Sequence, residues 1–392
     1  MEKVSVLLTY SKLIKIIFEL ISKNVLPFLC SKKLINNIGK KEGIKNILII
    51  EGGGIGDLLR TFPAIETIMD NFPKALFTLL ISPRTVDLLS FFPRKQPSFE
   101  VMYYAPYSIK HQGLFAKWRL ISTLRKRRFD LVYLPKRGQG MVEESLMWLL
   151  IGAQLRIGFY KDWVGQCNNI KTELKFDTPL LQQNIELLRV GGLNITTDEI
   201  TLAKPPLSTY SNLIDKIRAN KNPIISVHPG TLWATSQRRW PTDNFTLLIK
   251  MLIDKLHATI LLLGSPDEQH LSVTIESGVN HKNLFNMAGK TTFLELYYLL
   301  SSSSIFIGGD SGPLHLALAL KIPSVAIFGS TSPVQVIGSH QHVYVIKKDL
   351  PCSPCYVHQY ETLPVCKHAR CLSEITVTEV FNAVEVLLTN EY

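Results

Sequence analysis

Short apolar runs that end in glycine alternate with stretches of helical periodicity, and this alternation constrains the fold more than any other feature. Asn46–Glu51 is followed by three glycines, and Ile305–Gly309 repeats the pattern in the second half of the chain. Continuous apolar runs of this length are typical of strands buried on both faces of a parallel sheet. Strands that alternate with helices predict an α/β protein built on doubly wound parallel sheets.

The alternation occurs twice, which predicts two domains facing one another across a cleft. The chain has 392 residues, more than one hydrophobic core usually supports. Prolines and polar residues interrupt the pattern between Leu202 and Pro223. We predict a basic amphipathic leader (1–45), a first Rossmann-like domain (46–204), a linker (205–222) and a second Rossmann-like domain (223–392).

Individual elements follow from the same pattern. In the first domain the predicted strands are 46–51, 76–82, 101–104 and 130–134, with a helix at 58–70. In the second domain the predicted strands are 224–228, 259–264, 305–309, 324–329 and 343–347, and the predicted helices are 244–256, 266–277, 292–301, 313–320 and 376–389. Ligands of such sheets bind beyond the carboxyl ends of the strands, so residues that follow strands are the site candidates.

Positive charge is concentrated in two places, and the formal net charge is +11. Residues 1–45 hold nine lysines against three acids. A second cluster contains no acid and includes Lys117, Arg119, Arg125, Arg127 and Arg128. Such patches attract phosphates, although a solvated helix face is an equal alternative. Since no nucleic-acid-binding module accompanies them, the predicted partner is an anionic membrane surface or an acidic glycolipid, and not nucleic acid.

The sequence of the leader predicts that the protein lies at the inner face of the cytoplasmic membrane and that the leader does not span the membrane. Charged residues recur every three or four positions within 4–29, which forms a polar stripe on an otherwise apolar helix. A spanning helix needs about 20 mostly apolar residues, and no small-residue cleavage site of a secretory signal is present. This amphipathic helix could lie on a membrane or pack on the protein itself. The prediction is a cytoplasmic, peripheral protein.

The turn after the first strand places a carboxylate, Asp57, at the start of a helix. Gly52–Gly56 allow a substrate to approach closely, but glycine is missing where a dinucleotide-binding fingerprint requires it. An anion at a helix N-terminus is electrostatically favoured. Asp57 is therefore either a helix cap or a general base that accepts a proton from a substrate.

Two motifs in the second domain are suited to phosphate. His228-Pro229-Gly230 is followed by Arg238-Arg239-Trp240-Pro241, where an arginine could neutralise a diphosphate or lie unused at the surface. The sharper motif runs from Gly308 to His315, where an Asp-Ser pair precedes a helix opened by Pro313. Free N–H groups at such a helix end bind phosphate. The alternative is an ordinary capping box.

These motifs, in this order, resemble the heptosyltransferase family of glycosyltransferases (family 9), which add heptose from ADP-heptose to the lipopolysaccharide core. The shared patterns are G-x-G-D-x-L-x-x-x-P-A ending at Ala64, H-P-G with R-R-W-P at 228–241, and D-S-G-P-x-H-x-A-x-A with P-S-V-A-I-F-G-S-T at 310–331. The resemblance spans roughly residues 45–385. It implies the GT-B architecture and an inverting transferase that requires no metal cofactor.

The resemblance also implies roles for individual residues. Asp57 matches the general base that acts on the acceptor hydroxyl. The second domain would bind the nucleotide-sugar donor, most simply an ADP-sugar, and the acceptor would be a lipopolysaccharide-type or other lipid-linked glycan. The implied donor-binding residues are Arg238, Asp310, Ser311, Gly312, His315 and Thr331. Asp267 and Glu268 are candidates for the acid that contacts ribose.

Four cysteines near the carboxyl end form the spacing C-x2-C-x10-C-x4-C within 352–371. Cys352, Cys355, Cys366 and Cys371 could hold a structural zinc ion, or they could be reduced thiols packed in a loop.

Two other functions remain open on the sequence alone. One is a different nucleotide-sugar enzyme of the same architecture, such as an epimerase. The other is a non-catalytic relative that binds nucleotide or glycolipid. Asp57 argues against the second of these.

Overall fold

The computed structural model describes residues 43–389 apart from 95–98, 105, 138–146, 162–164, 206–213, 216–221, 232–237, 339, 357–365 and 367, and for 106–114 it describes the backbone alone. The predicted leader and linker therefore lie largely outside the described residues. Within the described ranges, no helix combines the length and the apolar character that crossing a bilayer requires.

The first half of the chain forms a six-stranded parallel sheet in the order β3-β2-β1-β4-β5-β6. Its strands are β1 (Asn46–Glu51), β2 (Leu76–Ile81), β3 (Phe99–Tyr103), β4 (Leu131–Leu134), β5 (Leu155–Tyr160) and β6 (Ile170–Glu173). The helices are α1 (Ile55–Asn71), α2 (Pro106–Lys126) and α3 (Leu180–Val190), with a 3₁₀ segment at Val86–Phe91. Helix α1 begins directly after the glycine turn and buries its apolar face in the core.

The second half forms another six-stranded parallel sheet, in the order β12-β11-β10-β7-β8-β9. Its strands are β7 (Ile224–His228), β8 (Thr259–Leu262), β9 (Leu284–Asn286), β10 (Ile305–Gly309), β11 (Ser324–Ile327) and β12 (Val343–Ile346). Its helices are α4 (Thr242–Leu256), α5 (Gln269–Val279), α6 (Phe293–Ser301), α7 (Gly312–Ala319), α8 (Pro333–Val336), α9 (Arg370–Ser373) and α10 (Val377–Thr389), and Pro266–Glu268 is a 3₁₀ turn.

Both sheets have the strand order of a Rossmann fold, so the predicted α/β class with two doubly wound sheets is confirmed. Counted within each half, the order is 3-2-1-4-5-6, which reverses direction between the first and fourth strands. Ligands bind at this reversal, which lies between β1 and β4 in one sheet and between β7 and β10 in the other. Register in the second sheet pairs His228 with Gly308, which places the two phosphate-type motifs side by side.

The two halves meet where helices α1 and α7 begin. A Cβ added to Gly56 would lie 2.2 Å from Cδ2 of His315, and one added to Gly312 would lie 2.4 Å from Cδ1 of Ile55. Elsewhere in the interface, Phe91 stacks on Tyr297 with ring centroids 5.1 Å apart. The glycines thus allow two helix N-termini, one from each half, to approach at the cleft.

Candidate active site

Asp57 caps helix α1 and remains open to solvent. Its Oδ2 accepts a hydrogen bond from the backbone N–H of Gly54 at 2.9 Å, and its Oδ1 pairs with Arg60 at 2.7 Å. The side chain is 39% exposed. Capping is one of the two roles that the sequence predicts for Asp57, and the exposed carboxylate is open to a substrate hydroxyl, as the role of a base requires.

Beneath Asp57 lies a second carboxylate, Glu51, at the last position of β1. It is buried and accepts hydrogen bonds from the N–H of Gly53 and from the hydroxyl of Thr61, both at 3.0 Å. Burial raises the pKa of Glu51 to about 7, and the negative charge of Asp57 adds to this rise. Two carboxylates with different environments therefore share the turn, and the buried one keeps its proton to a higher pH than an ordinary glutamate does.

Arg60 connects this turn to the second half of the molecule. It is buried, pairs with Asp57, and places its Nη1 3.1 Å from Nε2 of His315 and 3.2 Å from the carbonyl oxygen of Val336. Burial, and then the neighbouring Arg60 guanidinium, lower the pKa of His315. His315 is consequently held neutral at the contact between α1 and α7, with Asp310 3.7 Å away.

Ser311 precedes helix α7 but does not cap it, contrary to the predicted Asp-Ser cap. Its side chain makes no capping hydrogen bond, and its hydroxyl lies 3.1 Å from Nδ1 of His228. The other ring nitrogen of His228 lies 3.3 Å from Glu268. The first N–H groups of α7 thus receive no side-chain oxygen from Ser311, which suits a helix end that binds an anion.

Arg238 stands beside this helix end. It pairs with Asp310 at 2.8 Å, reaches the hydroxyl of Thr231 at 3.4 Å, and lies over the ring of Tyr356 at 5.5 Å from its centroid. Thr331 is buried, and its backbone forms an isolated parallel β-bridge with Tyr356. The predicted donor-binding residues from Arg238 to Thr331 are therefore brought to one edge of the second sheet.

The cysteine segment packs against the same edge. The N–H groups of Cys355 and Tyr356 donate to the carbonyl oxygen of Ser330 at 3.0 and 2.7 Å, and Cys371 is buried. Cys352 and Cys366 are exposed, and all five cysteines of the described ranges are free thiols. Among the residues that the structure describes, no group of three or more His, Cys, Asp or Glu is arranged to hold a metal ion. The predicted zinc site therefore gains no support.

The predicted basic patch lies on α2 and just beyond it. Arg119, Arg125 and Arg128 are exposed, whereas Lys117 and Arg127 are half-buried and Arg127 pairs with Glu100. Two aromatic residues stand among these cations: Phe115 is 79% exposed and Trp118 is 62% exposed. Position 115 lies three residues before 118 and four before 119, and position 125 lies seven residues after 118, so these positions share one broad helix face. The patch is thus aromatic as well as basic.

Sequence reasoning missed several residues of this site. The sequence pattern places Glu51 at the end of a strand and Arg60 within a helix, and it assigns neither residue a role in the site. Arg137, three residues after β4, was also missed; its guanidinium lies 4.6 Å from the centroid of Phe159 and donates to the carbonyl oxygen of Leu180. The position of β4 at the strand-order reversal is the signal that could have identified Arg137.

Replacing Glu51 with Gln should stabilise the protein at high pH. The pKa of Glu51 is raised from 4.5 to about 7, so the folded state retains a proton that the unfolded state releases, and stability falls as pH rises through this window. At about 1.4 kcal/mol per unit, the gain above pH 7 is at most about 3 kcal/mol. Gln fits because its amide can donate to Thr61, whose hydroxyl then donates to the carbonyl oxygen of Asp57.

Thermal unfolding of the wild type and of Glu51→Gln between pH 5 and 8.5 tests this, with the exposed Glu385→Gln in α10 as control. The difference in Tm should grow with pH for Glu51→Gln and stay constant for the control. A difference that shrinks as pH rises would show that Glu51 is ionised and stabilised in the folded protein.

Comparisons with known proteins identify a family and a matching fold. The model of glycosyltransferase family 9 (heptosyltransferase) matches residues 117–365. The chain is 28% identical to lipopolysaccharide heptosyltransferase 3 of Escherichia coli K12, over 71% of this chain and 81% of that protein. It is 24% identical to lipooligosaccharide heptosyltransferase 2 of Campylobacter jejuni, over 86% and 97%. The solved E. coli ADP-heptose LPS heptosyltransferase II has the same fold, with a TM-score of 0.63 at 22% identity, over 88% of this chain and 98% of that chain.

Proposed function

Since the chain belongs to glycosyltransferase family 9, the heptosyltransferase family, we propose that it transfers heptose or a related sugar from an ADP-linked donor to a lipopolysaccharide-core or other lipid-linked glycan. It is a glycosyltransferase. The observation that carries the proposal is the contact between the turn of Asp57 and the N-terminus of α7, where Gly312 meets Ile55. An acceptor base and a donor phosphate site would then share one cleft.

The proposed chemistry is a single displacement. Asp57 takes the proton of the acceptor hydroxyl while the oxygen of that hydroxyl forms a bond to the anomeric carbon of the donor sugar. The bond from that carbon to the diphosphate breaks on the opposite face, and the diphosphate leaves with the electron pair, so the configuration inverts. The ion pair with Arg60 at 2.7 Å favours the ionised form of Asp57, which is the form a base requires.

Protein groups supply the positive charge that the leaving diphosphate needs. Ser311, Gly312 and the first N–H groups of α7 would contact its oxygens, and Arg238 would neutralise its charge. Asp310 would hold Arg238 in place, and His315 would hold the contact between α1 and α7. Thr331 would position the segment of Tyr356, with which it forms a β-bridge. Because a helix end and an arginine can replace a divalent cation, we propose a metal-independent reaction without a cofactor.

Release of ADP from ADP-heptose in the presence of a deacylated lipopolysaccharide core acceptor tests the proposal. Turnover should require the acceptor and should persist in excess EDTA. Beforehand, ADP at about a hundredfold excess over its Kd should stabilise the protein by roughly 2.7 kcal/mol, seen as a rise in Tm. A shift with UDP or GDP instead would keep a transferase with another donor. No shift with any nucleotide would favour a non-catalytic relative, and loss of turnover in EDTA would refute metal independence.

We also propose that the patch on α2 rests on an anionic bilayer at the inner face of the cytoplasmic membrane, where a lipid-linked acceptor is reached. Phe115 and Trp118 are large apolar side chains left in solvent beside Arg119 and Arg125. Aromatic rings that enter the interface next to cations that contact phosphate are typical of peripheral binding.

Cosedimentation with vesicles measures this binding. The wild type should bind phosphatidylglycerol vesicles and not phosphatidylcholine vesicles, and about 0.5 M salt should release it because salt screens such contacts. The variant Phe115→Ala/Trp118→Ala should bind at least about fivefold more weakly, whereas Leu247→Ala, which removes an exposed apolar side chain from α4, should bind normally. Equal binding to both lipids, or unchanged binding of the double variant, would remove the proposal.

A further inference from the structure

His228 ends β7 between an acid and the hydroxyl proposed to contact the donor. Its side chain is 4% exposed. Nε2 lies 3.3 Å from Oε2 of Glu268, and Nδ1 lies 3.1 Å from Oγ of Ser311. The imidazole is therefore the link between Glu268, in the turn after β8, and Ser311, in the turn before α7.

Glu268 is a carboxylate that can only accept hydrogen bonds here. Its Oε2 receives the N–H of Ser265 at 2.9 Å and the hydroxyl of Ser265 at 2.8 Å, besides His228. Burial alone would raise the pKa of Glu268, but the hydrogen bond and charge of His228, with the two bonds from Ser265, lower it to about 2. Since Glu268 carries no proton, Nε2 of His228 must carry one and donate it.

The number of hydrogens on the His228 ring then decides whether the hydroxyl of Ser311 can donate a hydrogen bond to a ligand. In the neutral ring with Nε2 protonated, Nδ1 has no hydrogen, so the hydroxyl of Ser311 donates to it and only lone pairs remain for a ligand. In the imidazolium ring both nitrogens donate, so Ser311 accepts from Nδ1 and its own hydrogen is free. Only the second arrangement offers a donor to a phosphate oxygen, because phosphate oxygens are acceptors.

The surrounding charges also favour the second arrangement when an anion is bound. Arg238 and Asp310, beside Ser311, pair with each other at 2.8 Å and largely offset one another. Glu268 contributes a negative charge from the other side, and the N-terminus of α7 contributes a partial positive one. A diphosphate that binds at Ser311 adds negative charge close to His228, so it stabilises a proton on His228.

We propose that a nucleoside diphosphate binds at Ser311 together with one proton, which His228 takes up and Glu268 stabilises. His228 and Glu268 are then positioning residues, since they act on the ligand through the hydroxyl of Ser311. This inference rests on the proposed donor site. Because the complex holds one proton more than the free protein, affinity falls as pH rises, by up to about tenfold per pH unit.

Calorimetric titration with ADP tests this inference. At pH 8 the phosphates of ADP are fully ionised, since their last pKa is about 6, so a proton taken up binds to the protein. Titrations in Tris and in HEPES, whose ionisation enthalpies differ, should give an uptake close to one proton per ADP. Ser311→Ala should still bind through backbone N–H groups but with a clearly smaller uptake, because only the charge of the diphosphate then favours the proton. Glu268→Gln should bind at least about tenfold more weakly at pH 8 and approach the wild type at pH 6.

Asp254→Asn is the control, because it removes an exposed carboxylate from α4 without touching His228; it should keep the wild-type uptake and pH dependence. Wild-type binding without proton uptake, and with a Kd constant from pH 6.5 to 9, would overturn the inference and leave the donor site standing. Undiminished uptake by Ser311→Ala would also overturn it. No binding of ADP at any pH would overturn the proposed function and this inference with it.

Discussion

Asp57→Asn should lower kcat by roughly 10²–10⁴-fold, the range by which a positioned general base accelerates a reaction. The amide cannot take the proton of the acceptor hydroxyl, but its oxygen can still accept the N–H of Gly54 and cap α1. The affinity for ADP should stay within about threefold, because the donor contacts lie on the other side of the cleft. The measurement is single-turnover transfer with saturating donor and acceptor, alongside ADP titration.

Asp243→Asn provides the matched control. Asp243 is the acidic residue in the first turn of α4, so its replacement removes the same helix-end charge at an exposed position that is not among the proposed site residues. We expect wild-type turnover from this variant. If Asp57→Asn turned over as fast as the wild type, the role of Asp57 would be capping alone and the base would have to be sought elsewhere.

The fold was predictable because most of the buried strands are continuous apolar runs that can be recognised in the sequence. Ile224–His228 and Ile305–Gly309 have the predicted bounds, and the helices that follow start within a few residues of their predicted positions. Apolar runs that end in glycine leave few other structures available, since parallel strands are buried on both faces. The site motifs follow such strands, so their arrival at the carboxyl edges of the sheets follows from the fold.

Other elements escaped prediction for physical reasons. Strand β5 contains Arg156, which is buried with its guanidinium donating to the carbonyl oxygens of Cys167 and Ala153, so a charged residue stands where the pattern expects an apolar one. Strand β6 lies at the sheet edge and is only partly buried, and β9 has three residues. Short or edge strands carry too little periodicity to be recognised.

The partner of Ser311 could not be predicted, for a different reason. Its position before a helix opened by proline is typical of a cap, and local sequence offers the N–H groups of α7 as partners. The hydroxyl instead faces His228, 83 residues away along the chain. Such a contact depends on the pairing of β7 with β10, which no local pattern specifies. The same holds for Arg60, whose contact with His315 exists only once the two halves meet.

Gly56→Ala should lower kcat/KM by about 100-fold, the scale of loss when reacting groups are displaced by about 1 Å. The added Cβ would lie 2.2 Å from Cδ2 of His315, which is buried and held by Arg60. Helices α1 and α7 would have to separate, which moves Asp57 away from Ser311. Alanine favours an α-helix over glycine by about 1 kcal/mol, so local propensity alone predicts a stabilised variant and the loss of activity comes from the contact.

Gly54→Ala is the control on the same turn, because the nearest atom to its Cβ would be Oδ2 of Asp57 at 3.9 Å, an ordinary contact. It should retain activity within a few fold.

Removing the opposing ring in Gly56→Ala/His315→Ala should recover part of the loss, so the double variant should lose less than the product of the single losses. If Gly56→Ala were as active as the wild type, the close contact of α1 with α7 would not be the state in which transfer occurs. The reacting groups would then have to meet in a more open arrangement, and the position of Asp57 relative to the donor would need a different explanation.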